Sequence, residues 1–277
     1  MKNVEHLKAK LSGFNLDKWF LDFANEQGEA MIFYSVRMSW KGLRIPYVGW
    51  IWHHPGQRIQ SRQRFYGAST PVEKGDMFTW SDSRWKIRGT WNREANLVQE
   101  RLHESENGCL DWVCHQPSSQ VEIHLNDEIF TGKGYLEQLR LTIYPWLIPI
   151  RSLRWGRFAC EGHCMVWISF TGKEQKAWLW YNGMKVHNCG INDSEIRLPF
   201  AGLVLKLDHA VILQSEKKIQ TVMRKLVKYL PGFEQIIPDN FLMAEEIKWL
   251  SKGELFQDGR LFGTAPVIHE RVDFNLS

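Results

Sequence analysis

Along most of the chain apolar and polar residues alternate rather than recur at helical spacing. Residues 30–40 are rich in strand-forming side chains and partly alternate, the pattern of a half-buried strand. Residues 43–54 form a second aromatic-rich extended stretch, and 77–80, 85–91, 97–103, 109–115 and 120–125 follow at short intervals. The second half repeats the habit at 135–143, 155–160, 165–170, 177–181, 185–189, 203–213, 241–250 and 267–274. Gly, Asn, Asp and Pro separate these runs, which predicts short antiparallel strands closing as barrels or sandwiches. Asn182-Gly183 and Asp258-Gly259, each between apolar runs, predict two-residue hairpins.

Helical spacing is scarce. Residues 15–23 are expected to form a short helix entering the first barrel. Residues 215–230 carry apolar side chains at 219, 222, 223, 226, 227 and 230 before a Pro231-Gly232 stop, which predicts a second helix. The start of that segment, 219–223, also suits a strand. Pro145 and Pro149 cannot donate to a ladder, so 145–149 is expected to be a bend between two domains, 1–147 and 148–277. Each half has the length of one small barrel, and no sequence repeat relates them.

Composition narrows the class. With 277 residues, 44% hydrophobic and 24% charged, the chain reads as a soluble globular protein, which excludes disordered and fibrous classes. Fourteen Trp among 13% aromatic residues suit pleated surfaces and concave apolar sites. A net charge of +4 is too small to require nucleic acid or a membrane as partner. No secretory h-region opens the chain and no apolar run approaches transmembrane length. Five Cys, an odd count, point to reduced thiols and a cytoplasmic location. The sequence sets no oligomeric state.

Nucleophile elbows, Walker loops and His-Glu-x-x-His pairs are missing from the sequence. Gly132-Lys133-Gly134 precedes a strand and reads as a tight turn or bulge. Cys109, Cys114 and His115, and likewise Cys160, His163 and Cys164, have poor spacing for zinc and read as buried thiols, so no metal is expected. Arg58, Arg62 and Arg64 read as a solvated loop rather than a nucleic-acid patch. Asp111, Glu122, His124, His53, His54, Glu246, Lys248, His269 and Glu270 each read, taken singly, as structural or solvent-facing.

The most promising constellation joins 132–137 to 153–158. In a strand Tyr135 and Glu137 share one face, while Trp155 and Arg157 share another that excludes Arg154, Gly156 and Phe158. A carboxyl facing an aromatic barrel interior would be desolvated, which suits a general acid. The competing reading is a Glu137–Arg157 ion pair that holds the domain seam.

Gly132-Lys133-Gly134-Tyr135-Leu136-Glu137, the bend Pro145-Trp146-Leu147-Ile148-Pro149 and Trp155-Gly156-Arg157-Phe158 resemble one known family. It is the lipocalin-like group of hydroxyneurosporene synthase (carotenoid 1,2-hydratase) and AttH-like proteins, with tocopherol cyclase and two-barrel Diels–Alderases as more distant members. Ile268-His269-Glu270-Arg271-Val272 agrees more loosely. The resemblance implies an all-β chain of two calycin-type antiparallel barrels that needs no cofactor and binds a hydrophobic small molecule. It implies cyclisation, hydration or isomerisation of an isoprenoid or polyene. Glu137 would be the acid and Arg157 its electrostatic partner, with Tyr135, Trp155, Trp178, Trp180 and His124 binding substrate. The alternative is a non-catalytic carrier of an apolar ligand.

Overall fold

The structure, a computed structural model, describes residues 13–173, 175–216 and 237–274. It divides into two compact units, Met1–Ile148 and Pro149–Ser277. The first holds β1 (Phe14–Ala24), β2 (Ala30–Trp40), β3 (Leu43–His53), β4 (Gln60–Arg64), β5 (Val72–Lys74), β6 (Met77–Asp82), β7 (Ile87–Arg93), β8 (Val98–Ser105), β9 (Gly108–Leu125) and β10 (Glu128–Leu141). The sheet order is β4-β3-β2-β1-β10-β9-β7-β6-β5, with β8 also on β9. Trp19, Phe33, Trp50, Trp80, Trp91, Ile123 and Leu136 belong to one buried cluster. These residues come from seven strands, so the sheet must roll around them as a barrel.

The helix expected at 15–23 is instead the central strand β1, paired with β2 on one side and β10 on the other. Leu16, Trp19, Phe20 and Phe23 mimic helical spacing because β1 is apolar on both faces: Trp19, Leu21 and Phe23 join the core cluster, while Phe20 is buried outside it. The stretches 109–115 and 120–125 fuse into β9, which carries Pro117 at an irregularity in its pairing with β10. Arg64 is not in a solvated loop. It is buried at the end of β4, paired with Asp82 of β6, and its guanidinium lies 4.2 Å from the Trp85 ring. Side chains thus tie β4 to β6, which are not ladder neighbours.

A 3-10 turn at Pro145–Leu147 precedes the second unit. That unit holds β11 (Ile150–Cys160), β12 (His163–Gly172), β13 (Lys176–Tyr181), β14 (Met184–Val186), β15 (Gly190–Ile191) and β16 (Glu195–Leu198). It continues with β17 (Leu203–Leu207), β18 (Val211–Glu216), a single helical turn α1 (Asp239–Leu242), β19 (Glu245–Gln257) and β20 (Arg260–Asp273). Its order is β14-β13-β12-β11-β20-β19-β17-β16-β15, with β18 on β19. Each strand of the first unit therefore has a counterpart ten strands later. A second cluster, including Phe158, Trp167, Leu205, Leu255 and Val267, fills the inside.

Both expected hairpin tips form. Asn182 and Gly183 have φ of 49° and 79°, and Asp258 and Gly259 have 49° and 81°, the left-handed pair of a type I′ turn. The run 203–213 splits into β17 and β18, and 241–250 begins in α1 before entering β19. Of the helix expected at 215–230, residues 217–230 lie outside the described residues, and 215 and 216 end β18.

Candidate active site

Glu137 sits in β10 opposite Phe20 of β1 and Cys114 of β9. Phe130 and Leu136 point into the core cluster, so alternation sends Tyr135 and Glu137 to the other face of the sheet. Glu137 therefore does not line the barrel interior, although it is only 7% exposed. Its Oε2 accepts the indole N–H of Trp112 at 2.5 Å and the hydroxyl of Tyr135 at 2.6 Å. Tyr135 in turn packs edge-on to Phe20, whose ring meets Tyr34 at 5.5 Å. Aromatic surroundings were legible in the sequence; the donor from Trp112 was not.

Local backbone explains why glycines precede this carboxyl. Gly132 and Gly134 lie within β10, not in a turn. A Cβ on Gly134 would sit 2.4 Å from both the Asp22 carbonyl oxygen and a Val121 methyl. The same carbonyl accepts the Trp91 indole N–H at 2.9 Å. Immediately after Gly134 the pairing with β9 slips: Gly134 faces Ser119, whereas Glu137 faces Cys114. Three steps along β10 are matched by five along β9, a double bulge that brings Trp112 alongside the carboxyl.

In the second unit the register assembles most of the other expected site residues. Trp155, Ile168 and Trp178 lie side by side across β11, β12 and β13, and Arg157, Val166 and Trp180 form the adjacent row. All six are buried. Gly156 and Phe158 point to the core cluster, so both rows occupy the opposite face. The first row continues through Glu270 of β20 to Lys248 of β19. Lys248, 1% exposed, pairs with Glu246 at 2.5 Å and with Glu270. Arg157, fully buried, donates to the Pro266 carbonyl at 3.3 Å. Glu246 and Glu270, both half-buried, thus form a network around the buried Lys248 on this face, which isolated positions in the sequence could not reveal.

His124 is not brought to Glu137. It is half-buried, pairs with Glu122 at 2.7 Å, and faces Ile129, eight residues before Glu137 in β10. His115 stacks on Trp19 at 5.0 Å, and burial lowers its pKa. His163 meets the Tyr181 hydroxyl at 2.6 Å. Among the described residues no group of three or more His, Cys, Asp or Glu could hold a metal ion. No described helix is long and apolar enough to cross a membrane.

Solved structures place this architecture. One assigned as AttH from Nitrosomonas europaea superposes with a TM-score of 0.55 at 9% identity, covering 95% of this chain and 93% of that one. CghA gives 0.55 at 10% identity over 95% and 88% of the two chains. Kievitone hydratase from Nectria haematococca gives 0.50 at 8% identity over 95% and 90%. The chain has this two-barrel, lipocalin-like fold. No protein-family model and no curated sequence matches it. In the two-barrel fold seen here, Glu137 belongs to the first barrel and the Trp155–Arg157 face to the second, each outside its own core cluster.

Proposed function

We propose that this protein is a cofactor-independent enzyme that binds an apolar isoprenoid- or polyene-type molecule and cyclises, hydrates or isomerises it, with Glu137 transferring the proton. The observation that carries this reading is a buried carboxyl fixed on one oxygen by Trp112 and Tyr135 amid aromatic rings. A carboxyl so placed can give or take a proton without first reorganising water. In the second barrel the reading assigns the buried rings of Trp155, Trp178 and Trp180 to binding apolar surface. Arg157 is buried on the same face of that sheet as these rings. The name of one similar structure, a hydratase, supports the reaction class.

Glu137→Gln tests the assignment. The amide oxygen still accepts from Trp112 and Tyr135, so melting temperature should hold. Turnover of a polyene or prenylated substrate should fall about 10²- to 10⁴-fold, the usual loss for a positioned acid or base. Native mass spectrometry of freshly purified protein identifies which apolar molecule to assay. Retained turnover, or residual activity that simply tracks the folded fraction, would defeat the assignment.

A further inference from the structure

Both hydrogen-bond donors to Glu137 fall on one oxygen. Trp112 Nε1 and Tyr135 Oη reach Oε2, and Oε1 takes no hydrogen bond from any described residue. The donors are themselves buried, with Trp112 1% and Tyr135 0% exposed. Tyr135 stands two residues before Glu137 on the same face of β10, and its ring is wedged against Phe20 at 6.2 Å. Trp112 comes from the neighbouring strand, placed diagonally to Glu137 by the double bulge around Pro117. The carboxyl is therefore held along its strand and across the ladder at once.

We propose that Trp112 and Tyr135 are positioning residues that lock Glu137 through Oε2 and present Oε1 as the proton-transfer atom. This rests on Glu137 being the proton-transfer group. A carboxyl held by one donor can still rotate about that bond. Two donors from different strands fix its plane, and with it the direction of Oε1. Such fixed geometry is what makes an intramolecular proton transfer efficient. The proton moves between Oε1 and the substrate carbon or oxygen, while Oε2 keeps both its hydrogen bonds throughout. The bulge thus has a role beyond bending the strand: without its two surplus residues, Trp112 would fall out of reach of the carboxyl.

The test uses the full chain. In the wild-type protein the Trp112 indole proton should resonate well downfield of the other indoles and exchange slowly, as expected for a hydrogen bond to a carboxylate. In Glu137→Gln that resonance should move back upfield. Trp112→Phe and Tyr135→Phe, which each remove one donor but keep an aromatic ring, should lower kcat about 10- to 10²-fold with KM unchanged. If Trp112→Phe does not fold, Tyr135→Phe, which loses a single oxygen atom, decides the question by the same kcat–KM split. Unchanged kcat in the Phe variants overturns the positioning role, as does an indole resonance indifferent to Glu137→Gln. These outcomes leave the role of Glu137 intact when Glu137→Gln has itself lost turnover. Full turnover in Glu137→Gln overturns both.

Discussion

His269 is held neutral by its surroundings. Burial first, then the neighbouring His209, push its pKa down to about 3, against a weaker upward pull from Asp193. Its Nε2 meets the Ser251 hydroxyl at 2.8 Å, and the Trp249 and His209 rings lie 4.9 and 5.1 Å away. In the unfolded chain the same imidazole titrates near its ordinary value of 6.5. Between those values the unfolded state binds the extra proton, so this contribution to stability is complete above pH 6.5 and is lost as pH falls toward 3. At about 1.4 kcal/mol per pH unit, the loss across the window is on the order of 5 kcal/mol. His115, also lowered by burial, acts in the same direction. His269→Gln should therefore lose less melting temperature than wild type between pH 7 and pH 4; equal losses would refute this. Lys248 is a second residue-scale case. Lys248→Met removes the buried cation that pairs with Glu246 and Glu270 and should cost about 3–5 kcal/mol in urea unfolding, whereas a loss under 1 kcal/mol would mean the network is solvated. Neither role was legible from single residues, because a Lys or His in a strand is solvent-facing unless both sheet faces are covered.

Strands and their turns followed from local chemistry. Alternation found the strands, and Asn-Gly and Asp-Gly found two hairpins, because the left-handed φ pair at those tips is cheap only for such residues. β1 was misread for a physical reason: it is central and apolar on both faces, so it loses the period of two that marks a half-buried strand. The glycines of β10 and β11 were visible, but their purpose was not. A Cβ on Gly156 would lie 2.2 Å from the Trp167 ring and 2.7 Å from His269 Cβ. Gly134→Ala and Gly156→Ala should each destabilise by about 1–3 kcal/mol, the range for overpacking a filled core. Chemical denaturation checks this, and wild-type midpoints would show that the neighbouring groups can step aside.

Each unit of the molecule carries its own core cluster and the same strand order. We expect this to be visible in melting. Gly156→Ala should split the calorimetric trace, its lower transition belonging to Pro149–Ser277, while the higher one stays near the wild-type temperature. A single transition displaced as a whole would instead show that the units unfold together. The sequence by itself determined the strand content, the hairpin tips, the break at Pro145–Pro149, and a Tyr135–Glu137 pair on one strand face. These depend on φ preferences, alternation and missing donors within a few residues of chain. Only the tertiary structure decided that both units share one strand order, which long-range ladder pairing sets and no local pattern carries. Only it decided that Glu137 faces away from the core, that Trp112 reaches it in the β9 register that follows a double bulge, and that Arg157 shares its face with three Trp residues and the Glu246–Lys248–Glu270 network. Those facts depend on register between strands distant in sequence, and a register shift changes every pairing without altering a single local preference.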